Sequence, residues 1–175
     1  MNKILVMCEG QNEKKIIDIL LEHNKLKFNQ EDLIGLVTYH ARQLNAPILS
    51  PVLSIYTGKF DIYRIGDKQN DQLKIPKSLK HRVNSVTKYC TKPEIEVLLL
   101  INEGIYSQYI KKGNNKPKQY AKKNVVYNRH KYDNSTDFYQ EYYGNRINQL
   151  VDNIVKYKSL KKHEKDENYL ADLLK

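Results

Sequence analysis

The chain is poor in residues that staple, anchor or ligate. It holds two cysteines, no tryptophan and five histidines in 175 residues. Cys8 and Cys90 lack CxxC spacing, so they read as reduced, buried thiols in a cytoplasmic protein rather than as a disulfide framework. The histidines are scattered, which excludes a zinc centre of cysteine and histidine. The longest apolar run, Val97 to Ile101, falls far short of the ~20 residues that span a bilayer. The apolar stretch Ile4 to Cys8 is too short for a signal peptide. Neither a Walker A sequence nor GxGxxG occurs, which leaves ordinary nucleotide-binding loops unsupported. No repeat of solenoid length is visible.

Acid is scarce beside base. There are 30 Lys and Arg against 20 Asp and Glu, a net charge of +10, and a surface this positive attracts polyanions. The excess is densest from residue 111 to residue 131, where eight cations stand with no acid: Lys111, Lys112, Lys116, Lys118, Lys122, Lys123, Arg129 and Lys131. Gly113, Asn114, Asn115 and Pro117 make this stretch read as a loop. Such a stretch suits phosphate contacts with DNA or RNA, since basic charge does not tell the two apart. Tyr120 and Tyr127 lie among the cations, where stacking on unpaired bases would contribute ~1–3 kcal/mol per base.

The length suits one domain, and 40% hydrophobic residues suffice for its core. Lys3 to Cys8 is a continuous apolar run of strand length, the pattern of a strand buried on both faces. After the break at Glu9-Gly10, a helix with Asn12 as N-cap carries Ile16, Ile17, Ile19, Leu20 and Leu21 on one stripe and stops near Asn24. Residues 32–39 read as a strand, Ser50-Pro51 opens a helix to about Tyr56, and Phe60 to Ile65 reads as a strand ending at Gly66-Asp67. Pro76 opens a helix to about Cys90. Thr91 and Pro93 open a run, Glu94 to Asn102, whose apolar block suits a helix or a strand; Pro93 before it and Gly104 after it favour the helix. Residues 136–143, 146–160 and 169–174 are expected to be helical, around a charged patch with Lys161, Lys162, His163 and Lys165. The alternation gives an α/β fold with a mostly parallel sheet, here residues 1–110, and a helical extension, residues 111–175, packed on it.

In open α/β sheets, ligands sit beyond the carboxyl ends of the strands. Glu9 stands at the first such end and Asp67 at another, with Asp71 close behind. Mg²⁺ is held by one or two carboxylates, waters and phosphate oxygens, so acids in a basic chain suit metal-assisted phosphodiester chemistry. Each acid alone also suits a purely structural role, Glu9 beside a helix dipole and Asp67 in a turn. His40 and Arg42, in Tyr39-His40-Ala41-Arg42, pair a proton donor with a cation.

Cys8-Glu9-Gly10-Gln11-Asn12-Glu13 resembles the EGxTE-type opening of the topoisomerase-primase (Toprim) fold as it occurs in RloB-like proteins, small proteins of bacterial restriction and defence loci. Pro93-Glu94-Ile95-Glu96 with the apolar block that follows is similar to a later motif of that family, and the likeness runs from about residue 3 to about residue 110. The resemblance implies a Toprim-like, Rossmann-like core cutting or nicking nucleic acid with Mg²⁺ or Mn²⁺. Glu9 would be the general acid/base or metal-proximal acid, and Asp67 the first aspartate of an Asp-x-Asp pair. The second aspartate is replaced by Gln69, leaving Asp71 as the nearest substitute metal ligand. Glu13, Glu94 and Glu96 are supporting carboxylates. If Glu94 and Glu96 lie within a helix, at most one reaches the site. The broken pair equally suits a degraded module that binds nucleic acid, or a protein partner in a defence or mobile-element system.

Overall fold

The computed structural model describes residues 2–67, 72–113, 116–160 and 167–175. In chain order the elements are β1 (Lys3–Cys8), α1 (Gln11–Glu22), β2 (Tyr39–His40), α2 (Ser50–Ile55), β3 (Phe60–Gly66), β4 (Val83–Cys90) and α3 (Val97–Asn102). Then follow α4 (Tyr106–Lys111), α5 (Pro117–Asn124), β5 (Val126–Tyr127), β6 (His130–Lys131), α6 (Thr136–Tyr143), α7 (Ile147–Leu160) and β7 (Asn168–Tyr169). Five strands form one sheet in the order β2-β1-β3-β4-β7, every neighbouring pair parallel. β5 and β6 make a separate antiparallel hairpin. The fold is therefore α/β with helices on both faces of a parallel sheet.

Strand alternation divides the core. Ile4, Val6, Cys8 and Ile65 face the layer built by α1, α3, α6 and α7, where Ile16, Leu20, Leu99, Leu100, Tyr139 and Ile154 are buried. Leu5, Met7, Phe60 and Ile62 face the other way, against Leu49 and Leu53 around α2. Ten of the fourteen tyrosines are buried, most of them in the first layer, where rings such as Tyr142 and Tyr143 meet edge to face at 4.7 Å. Helices α6 and α7 pack on α1 and α3, and the residues after them add β7 to the sheet beside β4. Among the described residues, no helix is long and apolar enough to cross a membrane.

Several sequence expectations change. Residues 32–39 are mostly two short 3-10 turns, Gln30–Asp32 and Ile34–Leu36, with positive φ at Gly35 and Leu36, and only Tyr39–His40 pairs as a strand. The helix expected from Pro76 to Cys90 is a single 3-10 turn, Lys77–Leu79, followed by β4. Val83, Val86 and Thr87 are β-branched, and the neighbouring strand offers them a ladder that outweighs helical spacing. The basic stretch is not a loop, since α5 and the β5–β6 hairpin order most of it. Gly10 rather than Asn12 precedes α1, and Asn12 turns inward instead. The final helix is instead the end of the two-residue strand β7 and a 3-10 turn, Leu170–Leu173. The charged patch at residues 161–165 lies outside the described residues.

Leu100 is fully buried between the sheet and α7, and Ile55 is 81% exposed. Leu100→Ala is expected to cost about 2–5 kcal/mol of unfolding free energy, and Ile55→Ala less than about 0.5, measured by urea denaturation.

Candidate functional site

A cleft of about 400 Å³ opens at the carboxyl ends of β1 and β3. The chain leaves β1 for β2 on one side and reaches β3 on the other, so this is the point where strand order reverses. Glu9 and Asp67, the two strand-end acids, both line the cleft, together with Glu13, Glu94, Glu96 and Arg42. With Lys118, seven of the site residues singled out from sequence thus converge on one cavity. Asp71 and Gln69 lie outside the described residues.

Parallel pairing continues one step past β1, where the Glu9 amide donates to the Ile65 carbonyl at 2.9 Å. The Glu9 side chain then lies across Gly66, where a Cβ would overlap its carboxyl group. Arg64 and Lys88 face each other across β3 and β4 on that same side of the sheet. Arg64 Nη2 stands 3.6 Å from Glu9 Oε1 and Lys88 Nζ 3.8 Å from it. Glu9 and Arg64 are both buried, so the carboxylate is held in a socket of two cations, and removing either partner of such a pair is strongly destabilising. Glu9 therefore meets cations where the sequence suggested a metal ligand. His40 does not line the cleft. Its ring bridges the Gln11 side chain at 2.8 Å and the Glu9 carbonyl at 3.3 Å, and Arg42 Nε donates to that same carbonyl at 3.4 Å. Both residues fix the backbone at Glu9.

The remaining acids meet on the other side of the cleft. Glu13 sits in the first turn of α1 with its carboxyl folded back over Gly10. Burial, aided by the charges of Glu96 and Asp67, pushes its carboxyl up from an ordinary 4.5 to about 7, while its own backbone amide and Lys118 work against that shift. Glu94 and Glu96 both reach the cleft because they precede α3 instead of lying within it, contrary to the restriction a helix would impose. Glu94 Oε2 accepts the Lys118 amide at 2.9 Å, at the start of α5. Glu96 is 2% exposed; burial moves its carboxyl above the ordinary range, and the Tyr132 hydroxyl, 2.7 Å away, opposes the shift. Lys118 Nζ lies 3.8 Å from the same oxygen.

The basic stretch divides into three. Lys118 enters the cleft. Lys122 and Lys123 on the last turn of α5, and Arg129 and Lys131 on the hairpin, are exposed and lead away from it; Lys116 is exposed just ahead of α5. Lys111 and Lys112 end α4, with Lys112 over the Tyr120 ring at 5.5 Å. Tyr120 itself is 5% exposed and packed edge to face on Tyr109, so it offers no face to a base. Tyr127 is covered by Arg146 at 4.2 Å. Both were coloured by their neighbours in sequence, but the apolar layer claims them.

Sequence reasoning missed Arg64, Lys88, Tyr132, Asn134 and Thr136. A signal existed for the first, since Arg64 is a cation between Tyr63 and Ile65 in a run read as a strand. For the others, which come from distant segments, there was none. Comparison of the chain with protein-family models, curated proteins and solved structures finds no match.

Among the described residues, no three His, Cys, Asp or Glu side chains gather closely enough to hold one ion. Mg²⁺ needs only one or two carboxylates when waters and phosphate complete its shell. The oxygen donors of Glu13 and Asp67, which both line the cleft, are of the chemistry that such an ion takes.

Because Glu13 binds its proton more tightly in the folded chain than in the unfolded one, folding stability falls as pH rises from about 4.5 to about 7 and levels off above. Glu13→Gln removes this loss. Its urea midpoint is expected to gain on the wild type across that window, as a pH series will measure.

Proposed function

We propose that the chain is a Toprim-like nuclease of the RloB type, cleaving or nicking phosphodiester bonds in DNA or RNA with Mg²⁺ or Mn²⁺, in a restriction, defence or mobile-element setting. The observation that carries the reading is the convergence of strand-end and motif acids on one cleft whose wall begins a basic track. Glu13 and Asp67 would hold the metal, with Asp71 a further ligand implied by the resemblance. When bound there, the ion supplies Lewis-acid polarisation of a phosphate oxygen. Lys118 adds positive charge beside the same cleft, and Lys122, Lys123, Arg129 and Lys131 draw the strand toward it. Glu9 keeps the acid/base role of the resemblance, aimed by Arg64 and Lys88, while metal binding passes to Glu13 and Asp67. The absence of a three-acid cluster among the described residues favours a second reading, a non-catalytic module that binds nucleic acid or a protein partner through the same surface.

Plasmid nicking and cleavage of labelled RNA, each with Mg²⁺ or Mn²⁺, test the reading. Cleavage that requires metal and falls at least about 100-fold in Asp67→Asn and in Glu13→Gln supports it. Cleavage without metal, or untouched by Asp67→Asn, overturns it. Binding without cleavage, and no thermal stabilisation by Mn²⁺, selects the module. In either case Lys122→Glu with Lys131→Glu should weaken strand binding and flatten log Kd against log salt by about 2, as fluorescence anisotropy will show.

A further inference from the structure

Tyr132 lies between β6 and α6, far from Glu96 in sequence and 2% exposed. Its ring packs edge to face on Phe138 at 5.1 Å and on Tyr139 at 5.7 Å. Its hydroxyl meets four groups: Glu96 Oε1 at 2.7 Å, Asn134 Oδ1 at 3.2 Å, the Tyr139 hydroxyl at 3.3 Å and Asn12 Nδ2 at 3.4 Å. A phenol has one proton to give, and the shortest bond leads to the carboxylate. Asn12 and Tyr139 then donate into the phenolic oxygen, and the Asn12 amide also reaches Asn134 Oδ1 at 3.1 Å. Two donors thus feed the phenolic oxygen whose own proton goes to Glu96, and the chain of bonds joins α1, the residue ahead of α3 and the segment before α6.

We infer that Tyr132 is a positioning residue whose hydroxyl fixes the Glu96 carboxylate in the cleft wall, so that the C-terminal extension sets the geometry of acids carried by the core. Lys118 alone is a poor substitute as an anchor, because it is 43% exposed on its side chain and 3.8 Å away. The inference goes beyond the nuclease reading. It rests on that reading only for the first of two readouts.

The experiment compares Tyr132→Phe, Glu96→Gln and the double variant in the full chain. Phenylalanine keeps the ring packing and deletes only the hydroxyl. The first readout is single-turnover cleavage with Mn²⁺, with strand affinity measured separately. Strand affinity is expected to hold within about twofold while Tyr132→Phe slows cleavage at least about tenfold, with no further loss when it is added to Glu96→Gln. An unchanged rate, or losses that multiply in the double variant, overturns the assignment. The second readout needs no activity: the carboxyl carbon resonance of Glu13, which is not among the hydroxyl's partners, followed by NMR at fixed pH. It should move in Tyr132→Phe and not respond to that substitution in the Glu96→Gln background. If the wild type cleaves nothing, the nuclease reading fails and this resonance alone decides. A Glu13 signal indifferent to Tyr132, or moved equally in both backgrounds, overturns the positioning role. Failure of Tyr132→Phe to fold also overturns it, since the hydroxyl would then serve the fold and not the site.

Discussion

Parallel pairing of β1 with β3 sets Cys8 beside Ile65, and the cleft is measured from that register. Parallel strands deliver their carboxyl ends to one edge, so an acid after β1 and another after β3 cannot be kept apart. The same register leaves Gly66 under the Glu9 side chain and Arg64 beside it, with Lys88 one strand further on. A slip of one residue would turn each side chain to the opposite face and strand Glu9 against the apolar layer. The buried ion group therefore depends on the sheet and in turn favours one register. Either cation lost would leave buried charge without its full complement, a cost large enough to oppose slippage.

A second balance governs the other acids of the cleft. Burial, with the charges of Glu96 and Asp67, works against the ionised Glu13 carboxylate, and the fold answers with Lys118, with the Tyr132 hydroxyl on Glu96 and with the proton that Glu13 retains up to about pH 7. Such an arrangement is strained in charge, not in backbone. Incoming positive charge relieves it, which is why an acid cluster and a basic track can occupy one surface without contradiction. Lys122, Lys123, Arg129 and Lys131 stand exposed along α5 and the hairpin, and Lys118 joins them to the cleft that the acids line.

How much of this was legible in the sequence follows from range. Features fixed by neighbours in the chain could be read: β1 from its unbroken apolar run, α1 and α7 from their stripes, Glu9 and Asp67 from their places after strands. Local spacing misled where partners lay elsewhere. Residues 76–90 have apolar residues at helical intervals, but β3 recruits them as β4. Tyr120 sits among lysines in sequence and among tyrosines in space. Glu94 and Glu96 open a run that reads as a helix from Glu94, but α3 begins three residues later at Val97, a shift small in sequence that decides whether both side chains reach the cleft. Arg64 was visible as a cation in a run read as a strand. Tyr132 was not visible, because a buried tyrosine and an exposed one look alike in a chain that has fourteen.

The extension is bound to the core by more than its apolar stripe. Apolar packing of α6 and α7 on α1 and α3 would tolerate small sliding, since such contacts are non-directional. The hydrogen bonds among Asn12, Tyr132, Asn134, Tyr139 and Glu96 would not, because three of these four are buried and an unmade buried one costs about 1–3 kcal/mol. The network thus selects one placement of the extension out of several that hydrophobic burial alone would allow. That placement is the one that brings Lys118, Asn134 and Thr136 to the cleft. Packing supplies most of the stability and the polar network supplies the alignment. A site built from both parts of the chain needs the second as much as the first.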